Sequence, residues 1–161
     1  MFDHDLPEIT NLFCPNARIA IVRAKWHADI TERAEKAVIS VLEKANVTEI
    51  KCFSAPGSYE LPLACKYILD SGFDAVIAIG LLIKGSTMHF EYISEAVSQG
   101  LMRLGLDTGK PVIFGVLTCL NEDQARLRCG FKDNDESNHG YGWAQACLEM
   151  LTLKEEASKK N

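Results

Sequence analysis

The run Ala75–Ile83 (AVIAIGLLI) constrains the fold more than any other stretch of the 161-residue chain. It carries no polar side chain and is rich in Val, Ile and Leu. A run of that length and kind reads as a strand buried on both faces, the situation inside a parallel sheet. The chemistry then changes abruptly, with Lys84, Gly85, Ser86 and Thr87 forming a short polar turn and His89 following. Beyond it, apolar residues recur at Phe90, Ile93, Val97, Leu101 and Leu104, a helical spacing. The segment is therefore strand, polar turn, helix. Such a turn lies at the carboxyl end of a core strand, where open α/β sheets place their ligands.

The turn has the parts an anion requires. Gly85 lets backbone approach a ligand closely, Ser86 and Thr87 offer hydroxyls, and the amides and dipole of the following helix favour negative charge. A plainer reading makes Ser86 or Thr87 a helix cap and His89 a surface residue of the first turn. The local pattern leaves both open.

The rest of the chain repeats the alternation of strand and helix. Arg18–Arg23 reads as the first strand, and a helix follows over Ile30–Ala45, with Ile30, Ala34, Val38, Val41, Leu42 and Ala45 on one side. Asp29 followed by Glu32 resembles a capping box at its start. Glu49–Ser54 is the second strand, ended by Pro56-Gly57, and a second helix spans Tyr59–Leu69 with Pro62 tolerated in its first turn. Gly109-Lys110-Pro111 turns into the strand Val112–Thr118, and a short polar helix, Asn121–Arg128, comes next. Lys132–His139 reads as a charged, flexible loop. The last helix, from Gly142, is expected to direct Trp143, Cys147, Met150 and Leu151 inward. The prediction is a single-domain α/β three-layer sandwich: a four-stranded parallel sheet with helices on both faces and a flavodoxin-like strand order, strand one inside. Residues 1–17 are expected to form an N-terminal arm, 18–153 the domain and 154–161 a frayed tail.

Composition excludes several classes of function. The net charge is −5 and the basic residues are scattered, which argues against a nucleic-acid groove. No apolar run approaches membrane-spanning length. The start of the chain carries Asp3, Asp5 and Glu8 and lacks the basic start and apolar core of a signal peptide, so a cytoplasmic protein is expected. Cys14, Cys52, Cys65, Cys119, Cys129 and Cys147 form no CxxC pair and have no His at zinc-ligand spacing. They read as reduced thiols, several of them in the core, with no metal site.

Four stretches together resemble the lumazine synthase family: Ala24–His27 (AKWH), Ala55–Pro62 (APGSYELP), Ile79–Val97 (IGLLIKGSTMHFEYISEAV), and Phe114–Gly140 taken with Trp143. Any one alone is a weak signal. Their order, and a match running from about Arg18 to Met150, make the combination specific. Members of that family condense 5-amino-6-(D-ribitylamino)uracil with 3,4-dihydroxy-2-butanone 4-phosphate, giving 6,7-dimethyl-8-ribityllumazine, phosphate and water in the penultimate step of riboflavin biosynthesis. The steps (imine formation, phosphate elimination, ring closure and dehydration) require neither metal nor cofactor. Juxtaposing two bound substrates supplies much of the acceleration, orientation alone being worth about 7–11 kcal/mol.

The resemblance implies roles for particular residues. Trp26 would stack on the heterocycle, worth about 0.5–1.5 kcal/mol beyond burial; its plainer reading is a Trp packed under the first helix. Ser58, Tyr59 and Glu60, with Gly57, would hold the pyrimidine and ribityl atoms, and Leu81, Leu82 and Ile83 would add backbone hydrogen bonds. Gly85, Ser86 and Thr87 would bind phosphate with Arg128, whose guanidinium suits a bidentate grip. His89 would transfer protons, a task suited to an imidazole near neutrality. Phe114 is otherwise a buried strand residue, Glu60 a helix-start acid and Arg128 a solvated helix end. The resemblance further implies a homopentamer with active sites between subunits, Phe114 and Arg128 coming from the neighbour, and an N-terminal arm able to join a neighbouring sheet. Excess apolar surface on the helix after His89 fits copies packing around an axis.

The chain departs from the family pattern in two places. His27 stands where Asn is commonest, and His139 where many members carry Lys, although Asn138-His139-Gly140 resembles the fungal-type branch. Both bear on the pyrimidine and ribityl end. The segment Cys129–His139 (CGFKDNDESNH) is longer and more charged than in shell-forming members, so a free pentamer is expected. Two other functions stay open on this reading: a catalytically weak lumazine- or riboflavin-binding protein on the same fold, and a flavodoxin-like protein holding an FMN phosphate at Lys84–Thr87. The second leaves His89 and the GSYELP turn without a role.

Overall fold

The computed structural model describes residue 12 and residues 14–159. The expected arm over residues 1–17 lies for the most part outside the described residues. Four strands, β1 (Arg18–Ala24), β2 (Glu49–Ala55), β3 (Ala75–Ile83) and β4 (Val112–Cys119), form one parallel sheet in the order β2-β1-β3-β4. Five helices accompany them: α1 (Ala28–Lys44), α2 (Leu61–Asp70), α3 (His89–Thr108), α4 (Glu122–Arg128) and α5 (His139–Ser158).

The alternation of side chains along each strand divides the core into two layers. Ile19, Ile21, Ile77 and Ile79 face α1 and α5, meeting Val38, Leu42, Cys147 and Leu148. Ala20, Val22, Val76 and Ala78 face α2 and α3, meeting Leu61, Cys65, Leu69, Val97 and Leu101. Each fully buried Leu or Ile of this kind contributes about 1.5–3 kcal/mol. A smaller cluster of Ile30, Ala34, Leu81, Leu117, Cys119, Ala125 and Cys129 seats α4 beside the end of β4. All six cysteines are unpaired, and Cys65, Cys119, Cys129 and Cys147 are buried. No helix among the described residues is long and apolar enough to cross a membrane.

Several local expectations are corrected. Helix α1 starts at Ala28 with no capping box: its N-cap is His27, in the left-handed region at φ 58°, and no side chain caps it. The second helical segment begins as a 3-10 turn over Ser58–Glu60, and the α-helix starts only at Leu61, with Pro62 in its first turn. Helix α5 starts at His139, before Gly142, because the Asn138 side chain accepts a hydrogen bond from Gly140 N at 2.9 Å. It stays helical to Ser158, through most of the expected frayed tail. Met150 points outward and Leu151 is only half-buried. The loop before α5 is not loose: a 3-10 turn spans Asp133–Asp135, and Asn138 is fully buried. Phe114 is 45 % exposed, not a buried strand residue, and Trp26 is 69 % exposed, not packed under the first helix.

Candidate functional site

Parallel strands end together, so the segments that follow β1 to β4 share one edge of the sheet. The order of strands places Ser58–Glu60 after β2, Trp26 after β1, Gly85–His89 after β3 and α4 after β4. Adjacent strands lie about 4.8 Å apart, so the four segments share a strip about 15 Å wide.

At the β1–β2 end, a Cβ built at Gly57 would lie 3.3 Å from Trp26 Cδ1 and 3.1 Å from Glu60 Oε2, which puts indole, carboxylate and bare backbone side by side. Lys25 N donates to Ala55 O at 3.0 Å and ties the two turns together. Tyr59 and Glu60 are exposed, whereas Ser58 is buried against β3, where a Cβ at Gly80 would lie 2.6 Å from its Oγ. A ligand contact from Ser58 therefore falls to its backbone. The His27 departure has a steric explanation. The position is left-handed, a conformation in which Asn, Asp and His are the enriched non-glycine residues. Both Asn and His meet the backbone demand there.

Leu81 is buried, Leu82 and Ile83 are half-buried, and Lys84 N donates to Cys119 O at 2.9 Å, ending β3 against β4. From Lys84 to His89 every residue is exposed. Thr87 Oγ1 accepts a hydrogen bond from His89 N at 3.3 Å and so caps the first amide of α3. Behind the turn follow the unpaired amides of a 20-residue helix, with the positive end of its dipole. Lys84 Nζ pairs with the Glu91 carboxylate and lies 5.8 Å from the Phe90 ring, so a cation stands beside the turn. Reading the sequence missed this pair, because two charges flanking a turn carry no periodic signal.

At the β4 side, Asn121 caps α4 by accepting from Gln124 N at 3.0 Å, and Arg128 Nη1 in its last turn donates to Gln124 O at 3.0 Å. His139 begins α5 with its ring 6.4 Å from that of Trp143 at 76°. Burial, and secondarily the Arg128 guanidinium, push the His139 imidazole below its ordinary value. These two basic residues are therefore neighbours. Phe114 stands apart within one chain. It pairs with Ala78 in mid-sheet, five residues from the end of β4, about 16 Å of strand. There it lines an apolar groove of about 550 Å³ with Met102, Leu106, Met150 and Leu153. Among the described residues no group of His, Cys, Asp and Glu side chains is arranged to hold a metal ion.

A parallel α/β sheet with an aromatic surface, an exposed polar turn and two basic residues along its carboxyl edge is the framework of a small-molecule binding protein or enzyme. Residues 16–155 match the family described as 6,7-dimethyl-8-ribityllumazine synthase. A 6,7-dimethyl-8-ribityllumazine synthase of Schizosaccharomyces pombe is 51 % identical over 148 residues, covering 89 % of this chain and 92 % of that protein. One from Bdellovibrio bacteriovorus is 42 % identical over 139 residues, covering 86 % of this chain and 76 % of its own. Among solved structures, a GDP-L-fucose synthetase from Naegleria fowleri is similar at a TM-score of 0.40 and 15 % identity; this chain spans 50 % of its length, and the likeness carries no functional argument. The chain belongs to the 6,7-dimethyl-8-ribityllumazine synthase family.

Proposed function

We propose that the chain condenses 5-amino-6-(D-ribitylamino)uracil with 3,4-dihydroxy-2-butanone 4-phosphate to 6,7-dimethyl-8-ribityllumazine, releasing phosphate and water. The observation that carries this reading is the order along one sheet edge: Trp26 beside Glu60, then the exposed Gly85–Thr87 turn and His89, with Arg128 and His139 at the β4 end, where a neighbouring subunit's site can use them. Trp26 supports the heterocycle by stacking, and the backbone of Gly57–Tyr59 with the Glu60 carboxylate grips its polar atoms and the ribityl chain. Gly85, Ser86, Thr87 and the α3 amides receive the phosphate, with the guanidinium supplied by Arg128 of a neighbouring copy. Phosphate at a helix start gains from both the unpaired amides and the dipole.

The amine of the pyrimidine attacks the ketone of the phosphorylated substrate and water leaves, giving an imine. A proton is then lost from the carbon beside the imine as the phosphate departs, and the enol so formed becomes a ketone. The ribityl-bearing nitrogen adds to it to close the second ring, and loss of a second water completes the lumazine. His89, exposed beside the Gly85–Thr87 turn, takes and returns these protons on this reading. Purified protein mixed with both substrates should release phosphate in step with lumazine absorbance, above the spontaneous rate and only when both are present. Binding of riboflavin or lumazine without such turnover would instead mark a binding protein on this fold.

Assembly belongs to the same reading. Two unlike apolar surfaces flank α3: the groove of Phe114, Met102 and Leu106 on one side, and Tyr59, Leu63 and Tyr67 against Ala96 and Gly100 on the other. Unlike faces that meet head to tail close a ring where the rotation between copies closes; this supports a homopentamer, with Phe114 and Arg128 then completing a neighbour's site. Light scattering coupled to size exclusion should give about 89 kDa, five times the 17.8 kDa chain. A monomer would overturn the ring, and a megadalton species would overturn the expectation of a free pentamer. A cytosolic setting fits six unpaired thiols, and residues 18–153 are taken as the synthase domain.

A further inference from the structure

The segment between Arg128 and His139 is built at a steric cost. Asp133, Asn134 and Asp135 all have positive φ (57°, 52° and 76°), a conformation that non-glycine residues adopt singly and rarely in succession. Such a backbone persists only where its surroundings over-determine it. Here they centre on the Asp135 carboxylate. Oδ1 accepts from Arg33 Nε on α1 at 3.0 Å and from Asn138 Nδ2 at 2.9 Å, and Oδ2 accepts from Tyr141 OH on α5 at 2.6 Å. Burial alone would raise the Asp135 pKa, but the hydrogen bonds from Tyr141, Asn138 and Arg33 outweigh it and hold the group charged.

Each partner extends the latch. Asn138, fully buried, also donates to Arg33 O at 3.3 Å and caps α5 through Gly140 N. Ser137 Oγ donates to Leu127 O at 2.6 Å, so the segment is tied back to α4 one residue before Arg128. Gly130, at φ 80°, leaves the space that Asp135 Oδ1 occupies. The Arg33 and Arg126 guanidiniums lie 5.2 and 5.0 Å from the centre of the Phe131 ring, joining α1 and α4 across the same segment. The loop therefore closes on itself with Arg128 at one end and His139 at the other.

We propose that Asp135 is a positioning residue: by drawing Arg33, Asn138 and Tyr141 onto one carboxylate it sets where Arg128 and His139 stand relative to each other. The consequence for substrate rests on the reading that these two basic residues line the binding site; the placement itself does not. Two measurements on the assembled protein separate them. The His139 imidazole, followed by NMR through a pH titration, should titrate closer to its ordinary value in Asp135→Ala, as the ring leaves its partly buried place beside Arg128. The dissociation constant for inorganic phosphate should rise about tenfold, the loss expected when one charge-assisted contact is misplaced. Tyr141→Phe removes one donor and leaves the ring, so it should move both readouts the same way by less. It also decides the matter if Asp135→Ala does not fold. Asp70→Ala, which breaks an exposed pair with Lys66, serves as the matched loss of a carboxylate and should move neither. A shifted His139 titration with unchanged phosphate affinity would uphold the latch and remove Arg128 from the phosphate site. A His139 titration unchanged in folded Asp135→Ala, or in Tyr141→Phe where that variant alone folds, would overturn the proposal.

Discussion

Turnover by a His89→Ala protein is expected to fall by about 10²–10⁴-fold, the range for loss of a positioned general acid–base group. The Michaelis constants of both substrates should change little, because the proposed function gives the phosphate to Gly85–Thr87 and Arg128 and the heterocycle to Trp26. His89 is the exposed first residue of α3, and the Thr87 cap engages its backbone amide, which alanine keeps. The substitution therefore removes no packing, and a thermal transition equal to the parent's should accompany the loss of rate. Residual turnover above the spontaneous reaction is expected too, since substrate phosphate and water can carry part of the proton traffic once both substrates are held. Steady-state kinetics of lumazine formation and phosphate release measure this directly. An unchanged rate would return His89 to the role of a helix-surface residue.

The largest effect on stability is expected at Gly140. A Cβ there would overlap the carbonyl oxygen of Ala34 and lie 3.0 Å from Ala37 Cβ, on the line where α5 crosses α1. The obstacle is backbone of a neighbouring helix, which cannot rotate away as a side chain would. Alanine gains about 1 kcal/mol of helix propensity over glycine in a helix interior. Overpacking costs about 1–3 kcal/mol, and a backbone clash belongs at the upper end, so sterics win. With 3 kcal/mol as the gross cost and a smaller propensity gain in the first turn, Gly140→Ala should lower Tm by about 4–12 °C for a chain of this size. Because His139 precedes the clash, riboflavin or phosphate binding should weaken as well. A Tm equal to or above the parent's would mean that α1 and α5 do not approach so closely.

How much of this architecture was legible depends on how local each cause is. Strand β3 was read to its last residue, because burial on both faces removes polar residues from a continuous run. Helix α3 announced itself by spacing, since Val97 and Leu101 must return to one face. The exposed turn after β3 was legible because Lys, Gly, Ser, Thr and His interrupt an apolar run within a few residues. The strand order follows from short right-handed crossovers, which leave few alternatives once four strands alternate with helices.

What the tertiary structure alone decided lies where cause and effect are far apart in the chain. His27 takes a left-handed conformation that hides the start of α1 from any capping pattern. Phe114 reads as a core residue from its strand neighbours, yet β4 is an edge strand and leaves it in an open groove. The segment 132–139 is charged and looks mobile in sequence. It is held because Asp135 meets Arg33, 102 positions earlier in the chain, and Asn138 is buried beside it. Periodicity and motif report on groups within about a helical turn of one another. The sequence by itself determined the layers, the strand ends and the residues offered there. Only folding, which brings α1 against the α4–α5 segment, decided how the stretch between Arg128 and His139 is held.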